Sequence, residues 1–218
     1  MATLSSSVRD QILERFTHGE PRSVATPGDF LDIATREAVD KALQRLAQAG
    51  DLRRIDRGLY DQPALNRLTQ RPTPPDPRKV IDAIARRDQI RVLVDGLTAA
   101  NDLGFTNAVP AKIVVHTDAR LKPIRLDNLE IAFHPTAASK LFWAGRPAMR
   151  LVQALHWLRN SATPSDEDAK VGSHIRSLLA DSTQGDRLRA DLTDGMPALP
   201  EWMQSLLKPM LQPTDATA

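Results

Sequence analysis

The side chains with the most obvious chemical use are the cations and the amide that lie between Thr35 and Tyr60. Arginine and lysine bind phosphate oxygens and the acceptor edge of guanine, and glutamine suits adenine. A concentration of these types in one short stretch is typical of a surface that binds duplex DNA. The candidate DNA-binding residues are Thr35, Arg36, Lys41, Gln44, Arg45, Arg53, Arg54 and Arg57.

Acidic residues in the same stretch favour a simpler interpretation. Glu37 and Asp40 would repel a phosphate backbone, and Glu37 suits the positive end of a helix dipole. Taken alone, this helix would have an ordinary solvated face. The arginines that follow at Arg53, Arg54 and Arg57 favour DNA binding, because they add positive charge beside the helix.

The spacing of apolar residues predicts two elements that position these side chains. Val39, Leu43 and Leu46 recur at helical spacing, with Thr35 as the N-cap and Gly50 as the C-terminal stop. A tight hairpin is predicted directly after this helix. Its apolar residues, turn and return strand are Leu52, Ile55, Asp56–Gly58 and Leu59–Tyr60.

Two further elements are predicted upstream of this stretch. A first helix follows Ser5–Ser7 and carries Val8, Ile12 and Phe16 on one face. Glu20–Ala25 is expected to add a third small strand to the hairpin. A second helix is expected to be short, with its start at Thr26–Asp29 and its body over Asp29–Ala34. The order of helix, strand, short helix, longer helix and hairpin is that of a winged helix-turn-helix.

The second part of the chain predicts a larger α/β domain behind a connector. Pro72, Pro74, Pro75 and Pro77 favour an extended chain. The fold class is therefore α/β (α+β), with an N-terminal winged helix-turn-helix followed by a mixed α/β C-terminal domain rich in helices. Predicted strands lie at Ile90–Val94, Lys112–His116, Pro123–Leu126 and Leu129–Phe133. The predicted bounds are 1–66 for the DNA-binding domain, 67–76 for the proline-rich connector, 77–211 for the α/β domain and 212–218 for a flexible tail.

Composition argues against several classes of protein. The 218 residues include 29 basic and 27 acidic ones and no cysteine, so the net charge is only +2 and no disulfide framework exists. The N-terminal residues lack an apolar leader, and no apolar run approaches the roughly 18 residues of a membrane span. We therefore expect a cytoplasmic protein without a membrane partner.

The sequence offers no pattern for catalysis. A nucleotidyltransferase would need two carboxylates one residue apart, about ten residues after a Gly-Ser pair. Asp181 follows Gly172-Ser173, but position 183 is threonine. The five histidines show no metal-ligand spacing, although His116 and His134 could be neighbours at two strand ends. We expect no catalytic residue, no metal site and no cofactor.

Several segments together resemble the AbiEi-like antitoxins, the winged-helix regulators of abortive-infection type IV toxin–antitoxin systems. The similarity begins at PGDFLDIATREAVDKALQRLAQAGDLRRIDRGLYDQP, continues through DGLTAANDLGFTNAVPAKIVVHTD and IRLDNLEIAFHP, and ends at GRPAMRLVQAL. It covers roughly residues 20–160. The resemblance implies a repressor that binds the operator of its own operon as duplex DNA. It also implies a C-terminal domain that antagonises a nucleotidyltransferase-like toxin, with direct contact left open.

Two functions from different classes remain at this stage. The first is a DNA-binding antitoxin that represses its own operon, and the alternative is a protein-interaction module that neutralises a toxin by contact without sequence-specific DNA binding. Because one winged helix covers only a few base pairs, the first function predicts a repeated site bound by more than one copy, such as a dimer on DNA.

Overall fold

The computed structural model describes residues 7–19, 23–161 and 167–212, and it is a mixed α/β structure. Eight α-helices and two β-sheets lie within these residues. None of the described helices is long and apolar enough to cross a membrane. The chain divides into two compact units. The first unit contains the residues up to Ile90 together with Lys122–Ile131, and the second contains Arg91–Leu121 and the residues from Ala132 on.

The first unit contains three helices whose ends follow from their sequence. Ser7 caps the first helix through a capping box with Asp10, and Asp76 caps the third by accepting from the Arg78 N–H at 2.9 Å. Gly50 ends the second helix with a left-handed φ of 82°, as predicted. The helices are α1 (Val8–His18), α2 (Arg36–Ala49) and α3 (Pro77–Asp88).

The short helix predicted over Asp29–Ala34 does not form. A 3₁₀ turn over Pro27–Phe30 stands in its place, followed by turns in which the Ile33 and Ala34 N–H groups both bond the Phe30 carbonyl. The capping interaction predicted at Thr26–Asp29 does form, because the Thr26 N–H donates to the Asp29 carboxylate at 2.7 Å. Phe30 is 1% exposed, so burial of this ring fixes a segment that is too short to propagate a helix.

A three-stranded antiparallel sheet joins the helices of the first unit. Its strands are β1 (Val24–Ala25), β2 (Arg53–Asp56) and β3 (Leu59–Asp61), in the order β1-β3-β2. The strand predicted within Glu20–Ala25 is therefore confirmed at Val24–Ala25, while residues 20–22 lie outside the described residues. Tyr60 and Ala25 pack with α1 and α2 in one apolar core. All three β3 residues are buried, so the opposite face of this sheet is covered as well.

Helix α3 packs against β1 and β3 and supplies that cover. The predicted bounds place α3 in the second domain, whereas its contacts place it in the first unit. The reason is the alternation of side chains along a strand, which puts Leu59 and Asp61 on the face away from Tyr60. Without α3, the buried residues of this face would be exposed to water.

The predicted connector forms a closed loop rather than a fully extended chain. Leu65 and Pro72 form an isolated β-bridge, and the Thr73 N–H donates to the Ala64 carbonyl at 2.7 Å. The Asn66 side chain accepts from two backbone N–H groups at the tip of the loop. Leu68 at this tip is 95% exposed, so it belongs to neither core.

The second unit contains five helices, and the second sheet has four strands. The helices are α4 (Gly96–Asp102), α5 (Met149–Ser161), α6 (Glu167–Leu179), α7 (Gly185–Gly195) and α8 (Glu201–Leu211). The sheet has the order β4-β5-β7-β6, with strands β4 (Val92–Val94), β5 (Lys112–Thr117), β6 (Ile124–Leu126) and β7 (Leu129–Pro135). Gly96 allows α4 to approach α5 closely, because a Cβ there would overlap Trp157. The strands predicted in this part of the chain are confirmed within one or two residues.

Candidate nucleic-acid interface

Helix α2 presents a buried face and a solvated face, as its periodicity predicts. Val39, Leu43 and Leu46 are each 0% exposed in the core of the first unit. Thr35 occupies the N-cap position, but its side chain makes no capping hydrogen bond. The Thr35 carbonyl accepts the Val39 N–H at 3.0 Å, so the helix still begins at the predicted residue.

The candidate residues on the solvated face of α2 differ in their partners. Arg36 forms an ion pair with Asp40 one turn along the helix, with Nε 2.9 Å from a carboxylate oxygen. The side chains of Lys41, Gln44 and Arg45 are exposed and have no hydrogen-bond or ion-pair partner among the described residues. Their spacing of three and four residues places these groups on one side of the helix. Their cationic and amide groups are therefore available to a ligand.

Arg53 is held by the protein instead of being offered to solvent. Its Nε donates to one carboxylate oxygen of Asp61 at 2.9 Å, and Nη2 donates to the other. Its Nη1 donates to the Thr73 carbonyl at 2.9 Å, which ties the connector loop to the sheet. The Asp61 side chain is 4% exposed. This placement differs from the predicted phosphate contact, because all three nitrogens of the guanidinium already have protein partners.

Arg54 and Arg57 are exposed near the turn between β2 and β3. Neither side chain has a hydrogen-bond or ion-pair partner within the described part of the chain. Gly58 follows with a φ of 68°, a left-handed conformation that non-glycine residues seldom adopt. Strand β2 and the turn therefore each present one arginine, Arg54 and Arg57, whose positive charge no carboxylate neutralises in an ion pair.

Two residues at this site were not found from the sequence, and both lie on α3. The Arg87 Nη1 donates to the carbonyl oxygen of Arg57 at 2.6 Å. Arg86 reaches the carbonyl oxygen of Val24 at 3.3 Å. The Arg86-Arg87 pair was visible as a basic helix end, but no local signal indicates that a helix 30 residues further along the chain supports the hairpin turn.

The five exposed candidates of α2 and the β2–β3 hairpin are together called the basic surface below: Lys41, Gln44, Arg45, Arg54 and Arg57. Each of its residues is exposed, whereas the apolar residues beneath them are buried. Four of the five side chains carry a positive charge, and the fifth can both donate and accept hydrogen bonds. Such a set can bind phosphate oxygens through its cations and a base edge through its amide.

The histidine pair considered from the sequence lies in the second unit. The rings of His116 and His134 are neighbours, with centroids 5.9 Å apart in an edge-to-face arrangement. Burial, together with the nearby His134, lowers the pKa of His116. His116 Nδ1 lies 3.1 Å from the Thr136 hydroxyl. Among the described residues, no group of three His, Cys, Asp or Glu side chains is placed to hold a metal ion.

Comparison with known proteins assigns the chain to a family. The model of a family of unknown function, DUF6088, matches residues 11–186, and the chain belongs to this family. No curated protein matches the chain. Among solved structures, the crystal structure of the RV2827C protein from Mycobacterium tuberculosis is similar, with 20% sequence identity and a TM-score of 0.38. That match covers 94% of this chain and 76% of the other.

Proposed function

We propose that this protein binds duplex DNA through α2 and the β2–β3 turn. The observation that carries the proposal is the basic surface, where cations are exposed and unpaired next to a well-packed helix. The opposite arrangement holds at Arg36 and Arg53, whose charges are already neutralised by Asp40 and Asp61. A near-neutral protein that keeps four cations of α2 and the following hairpin unpaired has charge there that suits a polyanion.

The proposed binding mode is that of a winged helix. The order α1, β1, a short 3₁₀ turn, α2 and the β2–β3 hairpin supports it, with α2 as the helix that enters the major groove. On α2, Gln44 would suit an adenine edge, while Lys41 and Arg45 would reach phosphates or guanine. Arg54 and Arg57 would contact the flanking backbone from the hairpin.

The biological role we propose is that of an antitoxin and autorepressor. It rests on the resemblance to AbiEi-like antitoxins, which spans roughly residues 20–160. In this role the protein represses its own operon and antagonises a nucleotidyltransferase-like toxin through the residues after the connector. The protein would act in the cytoplasm, without catalytic residues, cofactor or metal.

The experiment that tests DNA binding uses the DNA upstream of the protein's own gene. A duplex of about 30 base pairs from this region should bind more tightly than a shuffled duplex of the same composition, and affinity should fall steeply with salt. Footprinting should protect a repeated sequence, because one winged helix covers few base pairs. Equal affinity for both duplexes would remove the repressor role, and absence of binding would favour the alternative, a module that neutralises a toxin by protein contact.

The toxin role needs a separate test in cells. The proposal predicts a gene for a nucleotidyltransferase-like toxin beside this one. Co-expression of the protein with that toxin should restore growth, and the variant of the basic surface that no longer binds DNA should still protect. Loss of protection in a folded DNA-binding variant would show that the two activities share one surface. An adjacent gene for an unrelated protein would remove the basis for the toxin proposal.

A further inference from the structure

The hairpin turn is supported from outside the hairpin by the last turn of α3. The Arg87 guanidinium donates through Nη1 to the Arg57 carbonyl oxygen at 2.6 Å. Its Nε and Nη2 donate to the two carboxylate oxygens of Asp88 at 2.8 Å and 2.7 Å. The side chain is 26% exposed. A guanidinium held on two sides has a fixed direction, so its bond to the turn has a fixed geometry.

The aliphatic part of the same side chain packs beside the turn. The Cδ atoms of Arg87 and Pro27 lie nearest to the open side of Gly58, each 3.8 Å from the position a Cβ would take. Gly58 has a left-handed φ of 68°, which glycine adopts without strain, and the Arg87 side chain adds a contact to this turn from outside the hairpin. Strands β2 and β3 are only four and three residues long, so contacts from outside the hairpin add to the stability of its turn.

We infer that Arg87 is a positioning residue for the proposed DNA site, acting through the backbone of Arg57. The inference rests on the proposed function for its effect on DNA, but its effect on the turn can be measured without DNA. All three guanidinium nitrogens of Arg87 have protein partners, which makes it a poor phosphate ligand. Arg57 has the complementary role: its carbonyl is held while its side chain is free. Helix α3 thus belongs to the DNA-binding unit in function as well as in packing.

The first experiment measures amide hydrogen exchange in the full-length protein. Arg87→Ala should raise exchange in the peptide covering residues 53–61 by roughly tenfold, because a charge-assisted hydrogen bond to the turn is lost. The peptide covering α2 should be unchanged. Arg86→Ala is the matched control, because it removes the same charge one residue away but contacts Val24 and Asp29 rather than the turn. Arg87→Lys keeps one donor and should restore part of the protection.

The second experiment asks whether Arg87 acts through Arg57 on DNA. Arg87→Ala should weaken binding to the upstream duplex, but it should have no further effect in an Arg57→Ala background. Asp88→Ala should also weaken binding, because the guanidinium loses its orientation. A purely electrostatic effect predicts the opposite, since removing an acidic residue favours binding to a polyanion.

Three results would overturn the inference. Unchanged exchange at residues 53–61 in Arg87→Ala would show that the contact does not order the turn. An equal rise in α2 would show a general loss of stability. Additive losses of Arg57→Ala and Arg87→Ala on DNA would make Arg87 a phosphate ligand in its own right. If the wild-type protein fails to bind DNA, the proposed function falls, and the exchange experiment alone still decides the positioning role.

Discussion

The three arginines of the β2–β3 hairpin have opposite surroundings, although two of them are neighbours in the chain. Arg53 lies opposite Asp61 at the open end and is locked into a bidentate ion pair. Arg54 is the next residue and lies opposite Tyr60, and Arg57 lies at the turn; both are exposed and have no side-chain partner among the described residues. The same residue type therefore stabilises the fold at one position and remains available to a ligand at the other two. A carboxylate across the strand pair decides which role an arginine takes.

The largest effect we predict comes from breaking the pair at the open end. Arg53→Ala leaves the buried Asp61 carboxylate without its cation and should lower the free energy of unfolding by about 3 kcal/mol. This value is at the low end for buried pairs because Arg53 is 28% exposed. Urea unfolding followed by circular dichroism measures it. Arg54→Ala is the control and should change stability by no more than about 0.5 kcal/mol.

The aromatic residues make this experiment more selective. All three tryptophans, Trp143, Trp157 and Trp202, belong to the second unit. A variant that loosens only the first unit should shift the circular dichroism transition and leave the midpoint of tryptophan fluorescence in place. Equal shifts in both signals would show that the two units unfold in one cooperative transition.

An intermediate effect is expected at the turn itself. Gly58→Ala places a side chain at a φ of 68°, where the backbone conformation alone costs about 1 to 2 kcal/mol. The nearest atoms to the new methyl group lie at 3.8 Å, so strain rather than collision is the cause. Thermal unfolding should register this loss. Gly58→Asn should recover part of it, because asparagine tolerates the left-handed region, and equal losses for both variants would point to packing instead.

The smallest effect concerns the paired arginine of α2. Asp40→Ala removes a carboxylate that neutralises Arg36 and should raise the affinity for DNA a few-fold, with a stability change of about 0.5 kcal/mol or less. Binding to the upstream duplex measures the gain. Asp82→Ala makes the same change in net charge on an exposed position of α3 and should have less effect. An equal gain in both variants would mean that overall charge, not the face of α2, governs binding.

The sequence was sufficient where structure depends on local patterns. The bounds of α2, its buried face and its stop at Gly50 all follow from residues within the helix itself. The β2–β3 turn was predictable for the same reason. The role of Arg53 could not be predicted, because Asp61 becomes its partner only when the two strands pair in a particular register. The local charge pattern therefore predicted a DNA contact for Arg53, Arg54 and Arg57 alike.

The limits of the first unit also depend on contacts between distant residues. Prolines near residue 75 suggested a domain boundary before α3. However, β3 is buried on both faces, and α3 packs on the face that α1 and α2 leave open. The short helix expected over Asp29–Ala34 failed for a related reason, since the burial of Phe30 governs that segment more than its helix start signals do. Arg87 was missed because its partner is a backbone carbonyl, which leaves no trace in the sequence.

The most direct test of the account is the salt dependence of DNA binding by two matched variants. One replaces Lys41, Arg45, Arg54 and Arg57 with alanine, and the other replaces the exposed Arg120, Lys122, Lys140 and Arg187, so both lose four positive charges. If every cation of the basic surface contacts a phosphate, the slope of log affinity against log salt should become less negative by about 3.6 in the first variant, at about 0.9 per contact. The slope of the second variant should stay at the wild-type value. Equal slopes in the two variants would contradict DNA binding through α2 and the hairpin turn.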